Sequence, residues 1–173
     1  MKHSTHSAIR PIVGVMGPGA EASDDLMAIA HRLGTAIAQQ GWVVLTGGRD
    51  VGVMQAVSRG AKESNGWVIG ILPDGDRSQL CDAVDIPILT GMGNARNVIN
   101  VLSSEVVIAC GIGLGTVSEV ALALKVGRPV ILLSWPAYGQ QLFQDLAPDR
   151  TWIAHTPEAA IAYTQQLLNP AIA

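Results

Sequence analysis

The chain has 173 residues, 49% hydrophobic and 14% charged, with 11 Lys+Arg against 14 Asp+Glu and a formal net charge of -3. That length fits one domain that buries about 70% of its unfolded surface, so stability needs neither disulfides nor a structural metal, and the apolar composition excludes a disordered or coiled-coil chain. A pI near 5.7 with no basic cluster excludes the electrostatic footprint of a nucleic-acid binder.

Met1 to Arg10 is polar, carries His3 and His6, and lacks the basic-then-apolar order of a secretory signal. It reads as a flexible arm (1–10) ahead of a single domain (11–173). Short apolar runs then alternate with stretches of helical period. Strands are expected at 12–16, 42–45, 67–72, 86–89, 106–110, 130–133 and 152–154, and helices at 22–40, 50–64, 94–104, 115–126, 139–146 and 157–168. This alternation predicts an α/β fold, a Rossmann-like open parallel sheet with helices on both faces. The strands are almost continuously apolar, as burial on both faces demands.

Helix ends are signposted. Ser23 before Asp24-Asp25, and Thr156 before Pro157-Glu158, have the form of N-caps. Gly41, Gly66 and Gly127 stand where three helices turn into strands, positions that suit a left-handed backbone. No apolar run approaches the roughly 18 residues of a membrane span, so no membrane partner is expected. Cys81 and Cys110 fit neither a disulfide framework nor a zinc pattern. The expectation is a cytoplasmic protein without a metal site.

In an open α/β sheet, ligands bind beyond the carboxyl ends of the strands, and here those segments are rich in glycine. They are Gly17-Pro18-Gly19, Thr46-Gly47-Gly48-Arg49, Pro73-Asp74-Gly75-Asp76, Thr90-Gly91-Met92-Gly93-Asn94-Ala95-Arg96-Asn97, and Gly111-Ile112-Gly113-Leu114-Gly115-Thr116. Missing Cβ atoms let a ligand approach the backbone, and the helix start that follows offers free N–H groups with partial positive charge. The pattern predicts an anion site, for phosphate. No Gly-Lys-Ser/Thr triplet is present, which removes a P-loop, and Gly14-Val15-Met16-Gly17-Pro18-Gly19 lacks dinucleotide-fingerprint spacing.

Arg96 stands at a helix start, where the dipole disfavours a cation, so a compensating anion is expected beside it. It shares a helix face with Asn100, whereas Val98, Val101 and Leu102 are expected to mark the buried face. Glu119 follows Thr116 by about a turn. Arg49 suits phosphate by its planar fork. Asp74 and Asp76 begin like a calcium loop, but Gln79 stands where that loop requires Gly. His31 lacks a second ligand at metal spacing, Cys110 reads as a core residue, and Trp135 is open between stacking on a planar ring and capping the sheet.

Several of these segments resemble the Lonely Guy-like proteins, also called lysine decarboxylase-like. The likeness spans about Ile12 to Leu168 and rests on Gly47-Gly48 with Gly52-Val53-Met54, Gly60-Ala61-Lys62, Gly70-Ile71-Leu72-Pro73, and Gly113-Leu114-Gly115-Thr116-Val117-Ser118-Glu119. The last is similar to the family's PGGxGTxxE motif. The resemblance implies a Rossmann-like fold and a dimer or larger assembly. It also implies, as founding activity, release of cytokinin base and ribose 5-phosphate from nucleoside monophosphates, with Glu119 and Arg96 as catalytic pair.

Two departures point elsewhere. Gly111-Ile112 replaces the family Pro-Gly, and no lysine stands beside Arg96. Both look like the branch that includes molybdenum cofactor carrier proteins. The expected function is therefore a carrier for molybdenum cofactor or a similar phosphate-bearing anion, with nucleoside 5′-monophosphate phosphoribohydrolase as the alternative. Ligand contacts are expected from Gly17, Gly19, Gly47, Gly48, Arg49, Met92, Gly93, Arg96, Asn97, Gly113, Leu114, Gly115, Thr116 and Glu119. Expected partners are a second copy, as homodimer or homotetramer, and molybdenum cofactor synthesis or acceptor proteins. Because the helix after Thr116 is apolar almost all round, it is expected in the subunit interface.

Overall fold

A computed structural model describes residues 9–169. Residues 1–8 of the expected N-terminal arm lie outside the described residues. Seven parallel strands, β1 (Ile12–Met16), β2 (Val43–Thr46), β3 (Trp67–Leu72), β4 (Ile86–Leu89), β5 (Val106–Cys110), β6 (Val130–Leu133) and β7 (Thr151–Ala154), form one sheet in the order β4-β3-β2-β1-β5-β6-β7. The chain winds outward from β1 to β4, crosses back, and winds the other way from β5. The switch point therefore falls between β1 and β5, where adjoining strand-end loops diverge and leave a crevice.

Six helices cover the sheet: α1 (Asp24–Gln39), α2 (Gly52–Glu63), α3 (Asn97–Leu102), α4 (Leu114–Lys125), α5 (Ala137–Leu146) and α6 (Pro157–Leu168). Leu33 and Ile37 of α1, Val53 and Val57 of α2 and Ala160 of α6 join Val13, Val15, Val44 and Ile108 in one core. On the other face Val101 of α3, Val120 of α4 and Phe143 of α5 close over Met16, Leu45, Val107 and Leu132. Alternate strand residues supply the two cores, as the period of two requires.

The caps form as expected: Ser23 Oγ accepts from Leu26 N–H at 3.2 Å, and Thr156 Oγ1 accepts from Ala159 N–H at 3.2 Å. Gly41 and Gly127 take left-handed φ values of 75° and 84°. At the third exit Asn65, not Gly66, is left-handed at φ 58°, while Gly66 stays bare because a Cβ there would lie 2.5 Å from that of Ala38. Asn tolerates that conformation through its short polar side chain.

Two expectations need correction. The helix expected at 94–104 is a 3-10 turn, Gly93–Arg96, followed by the six-residue α3. Val98 and Leu102 are exposed and Asn100 is fully buried, so only Val101 of the expected apolar face is in the core. Nor is β4 buried on both sides: Ile86, Ile88 and Leu89 are exposed, because β4 is the sheet edge and carries Pro87, which has no N–H to donate.

Candidate functional site

A cleft of about 410 Å³ opens at the carboxyl edge of β1 and β5, at the switch point. Its lining includes Gly17, Pro18 and Gly19 after β1, Gly47 and Arg49 after β2, Arg96 and Asn97 around the 3-10 turn, and Gly113, Leu114, Gly115, Thr116 and Glu119 from the start of α4. Of the expected contact residues, Gly48, Met92 and Gly93 are outside it. Gly48 is required by packing, with φ 76° and a Cβ position 3.0 Å from the Gly70 backbone. Gly93, at φ 55°, shapes the turn that carries Arg96, and Met92 is a half-exposed residue beside it.

The glycines of the lining separate into two kinds. A Cβ at Gly17 would lie 2.6 Å from both the Cys110 carbonyl and the Val53 side chain, so internal packing demands that glycine. Gly115 has nothing within 4 Å of its Cβ position and Gly113 nothing nearer than 3.4 Å. Packing does not demand glycine at these two, and they face the cleft. Gly113 is the N-cap of α4 and supplies no side-chain cap, so the first amides of a twelve-residue helix have no capping partner from it. Their partial positive charge is directed at the cleft. Thr116, in the same turn, is 1% exposed and its Oγ1 has no hydrogen-bond partner.

Arg96 and Glu119 meet across the floor. Arg96 is 8% exposed and Glu119 6%, with Nη1 to Oε1 at 3.7 Å. The anion expected beside Arg96 is thus partly supplied by the protein. Asn100 Nδ2 donates to the same Oε1 at 2.8 Å, while Asn100 Oδ1 and Arg96 Nε are buried without partners. Burial pushes the Glu119 carboxyl up from its ordinary range, against the lowering effect of Asn100 and Arg96. Burial likewise lowers Arg96, against the charges of Glu119 and Asp74. Both charged forms are therefore held under desolvation cost, a condition typical of functional sites.

Arg49 also lines the cleft, close enough for its charge to act on Arg96. Its Nε donates to Gln79 Oε1 at 2.6 Å, and an antiparallel bridge between Arg49 and Leu80 fixes the backbone beneath it. The two terminal nitrogens of the fork remain for an anion.

Pro18, Glu21, Met54 and Asn94 also line the cleft without having been expected there. For Met54 a signal was present: Gly52 has φ 55° and would meet the Gly19 carbonyl at 2.1 Å, so the Gly52-Val53-Met54 run marks where α2 docks on the β1 loop. Other residues settle into structural roles. Trp135 Nε1 donates to the Ala109 carbonyl at 3.0 Å and its ring packs edge-on to Phe143, so it caps the sheet. Cys110 is buried in the core. His31 pairs with Glu63 on the surface at 2.9 Å. Asp76 accepts from the Ser78 backbone and hydroxyl, a local turn.

Residues 10–161 match the SLOG cluster4 family. Among solved structures, the molybdenum cofactor binding protein of Rippkaea orientalis is 56% identical, with a TM-score of 0.91 over 94% of this chain and 99% of that one. The molybdenum cofactor carrier protein of Chlamydomonas reinhardtii is 47% identical, with a TM-score of 0.89 over 92% of this chain and 99% of that one. A cytokinin riboside 5′-monophosphate phosphoribohydrolase of Mycobacterium marinum is 38% identical over 61 residues, 35% of this chain and 33% of the enzyme.

Proposed function

The chain belongs to the SLOG cluster4 family, and from that premise we propose that it is a carrier of molybdenum cofactor, holding this phosphate-bearing anion in the switch-point cleft. The observation that carries the reading is the pair of buried, unpartnered groups at that cleft, Thr116 Oγ1 and Arg96 Nε, beside the uncapped start of α4. A buried polar atom without a partner costs about 1–3 kcal/mol, and oxygens of an anionic ligand satisfy both atoms. Near-full-length similarity to the Rippkaea and Chlamydomonas proteins supports the cofactor as cargo.

In this arrangement the amides of Gly115 and Thr116 and the Thr116 hydroxyl receive anionic oxygens, and Gly113 and Gly115 leave room for the backbone to be approached. Arg49, held by Gln79, adds a second guanidinium. The cofactor supplies its own redox chemistry when delivered to an acceptor, and this chain binds, orients and shields it. The carrier acts in the cytoplasm as a homodimer or homotetramer, and its exchange partners are cofactor-synthesising and cofactor-accepting proteins. Light scattering at micromolar concentration is expected to give a dimer or larger.

The alternative, a phosphoribohydrolase, has one observation in its favour: a carboxylate and a guanidinium sit together at the floor, as oxocarbenium stabilisation and leaving-group assistance require. Mass spectrometry of freshly purified protein tests the first reading. Molybdopterin is expected in the wild type and is lost in Thr116→Val and Arg96→Ala. Release of ribose 5-phosphate from AMP, abolished in Glu119→Ala, would instead establish the hydrolase.

A further inference from the structure

On the carrier reading, the cleft sets a carboxylate in the floor of an anion site, and a carrier has no bond to break with it. We propose that Glu119 meets the anionic ligand as the protonated acid, so that binding draws one proton from solvent and loss of that proton favours release. The inference rests on the proposed binding of an anion in this cleft.

The geometry specifies where the proton goes. Asn100 Nδ2 donates to Glu119 Oε1 at 2.8 Å, and Arg96 Nη1 lies 3.7 Å from that same oxygen. The Asn100 bond needs Oε1 as an acceptor, whereas at 3.7 Å Arg96 meets that oxygen as a charge, beyond hydrogen-bond distance. A proton placed there would break the Asn100 bond and set donor against donor in a site that is almost wholly buried. A proton on Oε2 keeps the Asn100 bond, converts that oxygen into an O–H donor, and frees the Arg96 charge from its counter-ion for the incoming anion. Asn100 reinforces the choice: it is fully buried, and its Oδ1 has no partner. Its hold on the site therefore runs through the donor end of the amide, which grips Glu119 Oε1 and also reaches Met16 Sδ at 3.8 Å.

Glu119 itself lines the cleft. The charged groups around it are Arg96 from the 3-10 turn, Arg49 from the β2–α2 connection and Glu21 from the β1–α1 connection, with Asp74 of the β3–β4 connection acting on Arg96. No other ionisable residue of α4 lines the cleft. Burial favours the neutral acid, while Asn100 and Arg96 favour the charge. An incoming dianion favours the neutral acid further, because a charged carboxylate would face a second negative group in a poorly solvated space. By reciprocity, the proton strengthens anion binding by the same factor as the anion strengthens the proton's. A carrier built this way releases its cargo when the surroundings withdraw a proton from the floor of the site.

Calorimetric titration with molybdate, a tetrahedral dianion, in buffers of differing ionisation enthalpy counts the protons. The wild type is expected to take up about one proton per molybdate, with affinity falling about tenfold per pH unit between the free and bound midpoints of the carboxyl. Glu119→Gln keeps an acceptor toward Asn100 and puts an N–H donor where the acid proton stood. It is expected to bind molybdate with no proton uptake and no pH slope. Thr116→Val is expected to weaken binding while leaving the proton count as in the wild type. Molybdate bound by the wild type with no proton uptake at any pH between about 5 and about 9 overturns the coupling and leaves the carrier reading standing. Absence of molybdate binding by the wild type overturns both.

Discussion

The guanidinium of Arg96 lies on Gly47: a Cβ at position 47 would come 2.6 Å from Nη2 and 2.8 Å from Nη1. Glycine at this position makes room for a protein cation, and that cation lines the cleft. Gly47→Ala is therefore expected to push Arg96 off its seat, and to crowd the flexible Met54 side chain, whose Sδ lies 2.6 Å from the same Cβ position. Loss of a charged hydrogen bond of about 2 kcal/mol corresponds to molybdate affinity falling roughly thirtyfold, read by calorimetry, with the circular dichroism spectrum unchanged. Wild-type affinity in this variant would show that Arg96 does not contact the anion.

Gly115 is the opposite case. It is the second residue of α4, its φ is not left-handed, and nothing lies within 4 Å of its Cβ position. Alanine is the better helix former by about 0.5–1 kcal/mol in a helix interior, so Gly115→Ala is expected to raise the melting temperature slightly. The added methyl projects into the space from which an anion approaches the helix start, so molybdate affinity is expected to fall at least tenfold. Thermal melts and calorimetry on one preparation check both halves, and a variant that is both stabler and fully binding contradicts the proposed cradle.

Where α1 crosses α2, glycine serves packing alone. A Cβ at Gly34 would stand 2.1 Å from the Val57 carbonyl, and one at Gly60 would stand 2.0 Å from the His31 carbonyl. Neither neighbour can yield without moving a helix. Gly34→Ala is expected to cost about 2–3 kcal/mol of unfolding free energy, seen as a lower urea midpoint. Molybdate affinity measured well below that midpoint should match the wild type, since neither Gly34 nor Val57 lines the cleft.

These contrasts mark what a sequence can and cannot declare. The strand and helix order was legible because apolar runs and helical periods alternate and because Ser23, Thr156, Gly41 and Gly127 mark helix ends by local physics. The crevice was legible too, since the winding rule puts ligands beyond strand ends. What one glycine does was not: Gly17, Gly47 and Gly115 look alike in the sequence, but one is demanded by Cys110, one seats Arg96 and one is open. Asn100 was placed on the cleft side of an amphipathic helix, whereas α3 is too short to have a protected apolar face, and Glu119 draws the amide inward. The periodicity of six residues cannot outweigh a buried carboxylate in need of a donor.

The two thiols report on local and global opening. Burial pushes Cys110 up to about 12 and Cys81 up to about 11, and both are free and buried. At pH near 8 almost no thiolate is present, and the thiolate is the reactive form, so the native protein is expected to show no rapidly titrating thiol with an aromatic disulfide reagent. Denaturation should release both. Their slow native-state rates should differ, because Cys110 ends the interior strand β5, paired on both sides with β1 and β6, whereas Cys81 is in the irregular β3–β4 connection, tied down by its N–H to the Gly48 carbonyl at 3.0 Å. Opening that connection exposes Cys81 without unfolding the sheet. Cys81→Ala is therefore expected to abolish the faster of two slow phases and leave one that tracks global stability. Saturating molybdate should slow the remaining phase in proportion to the stability gained by the native state.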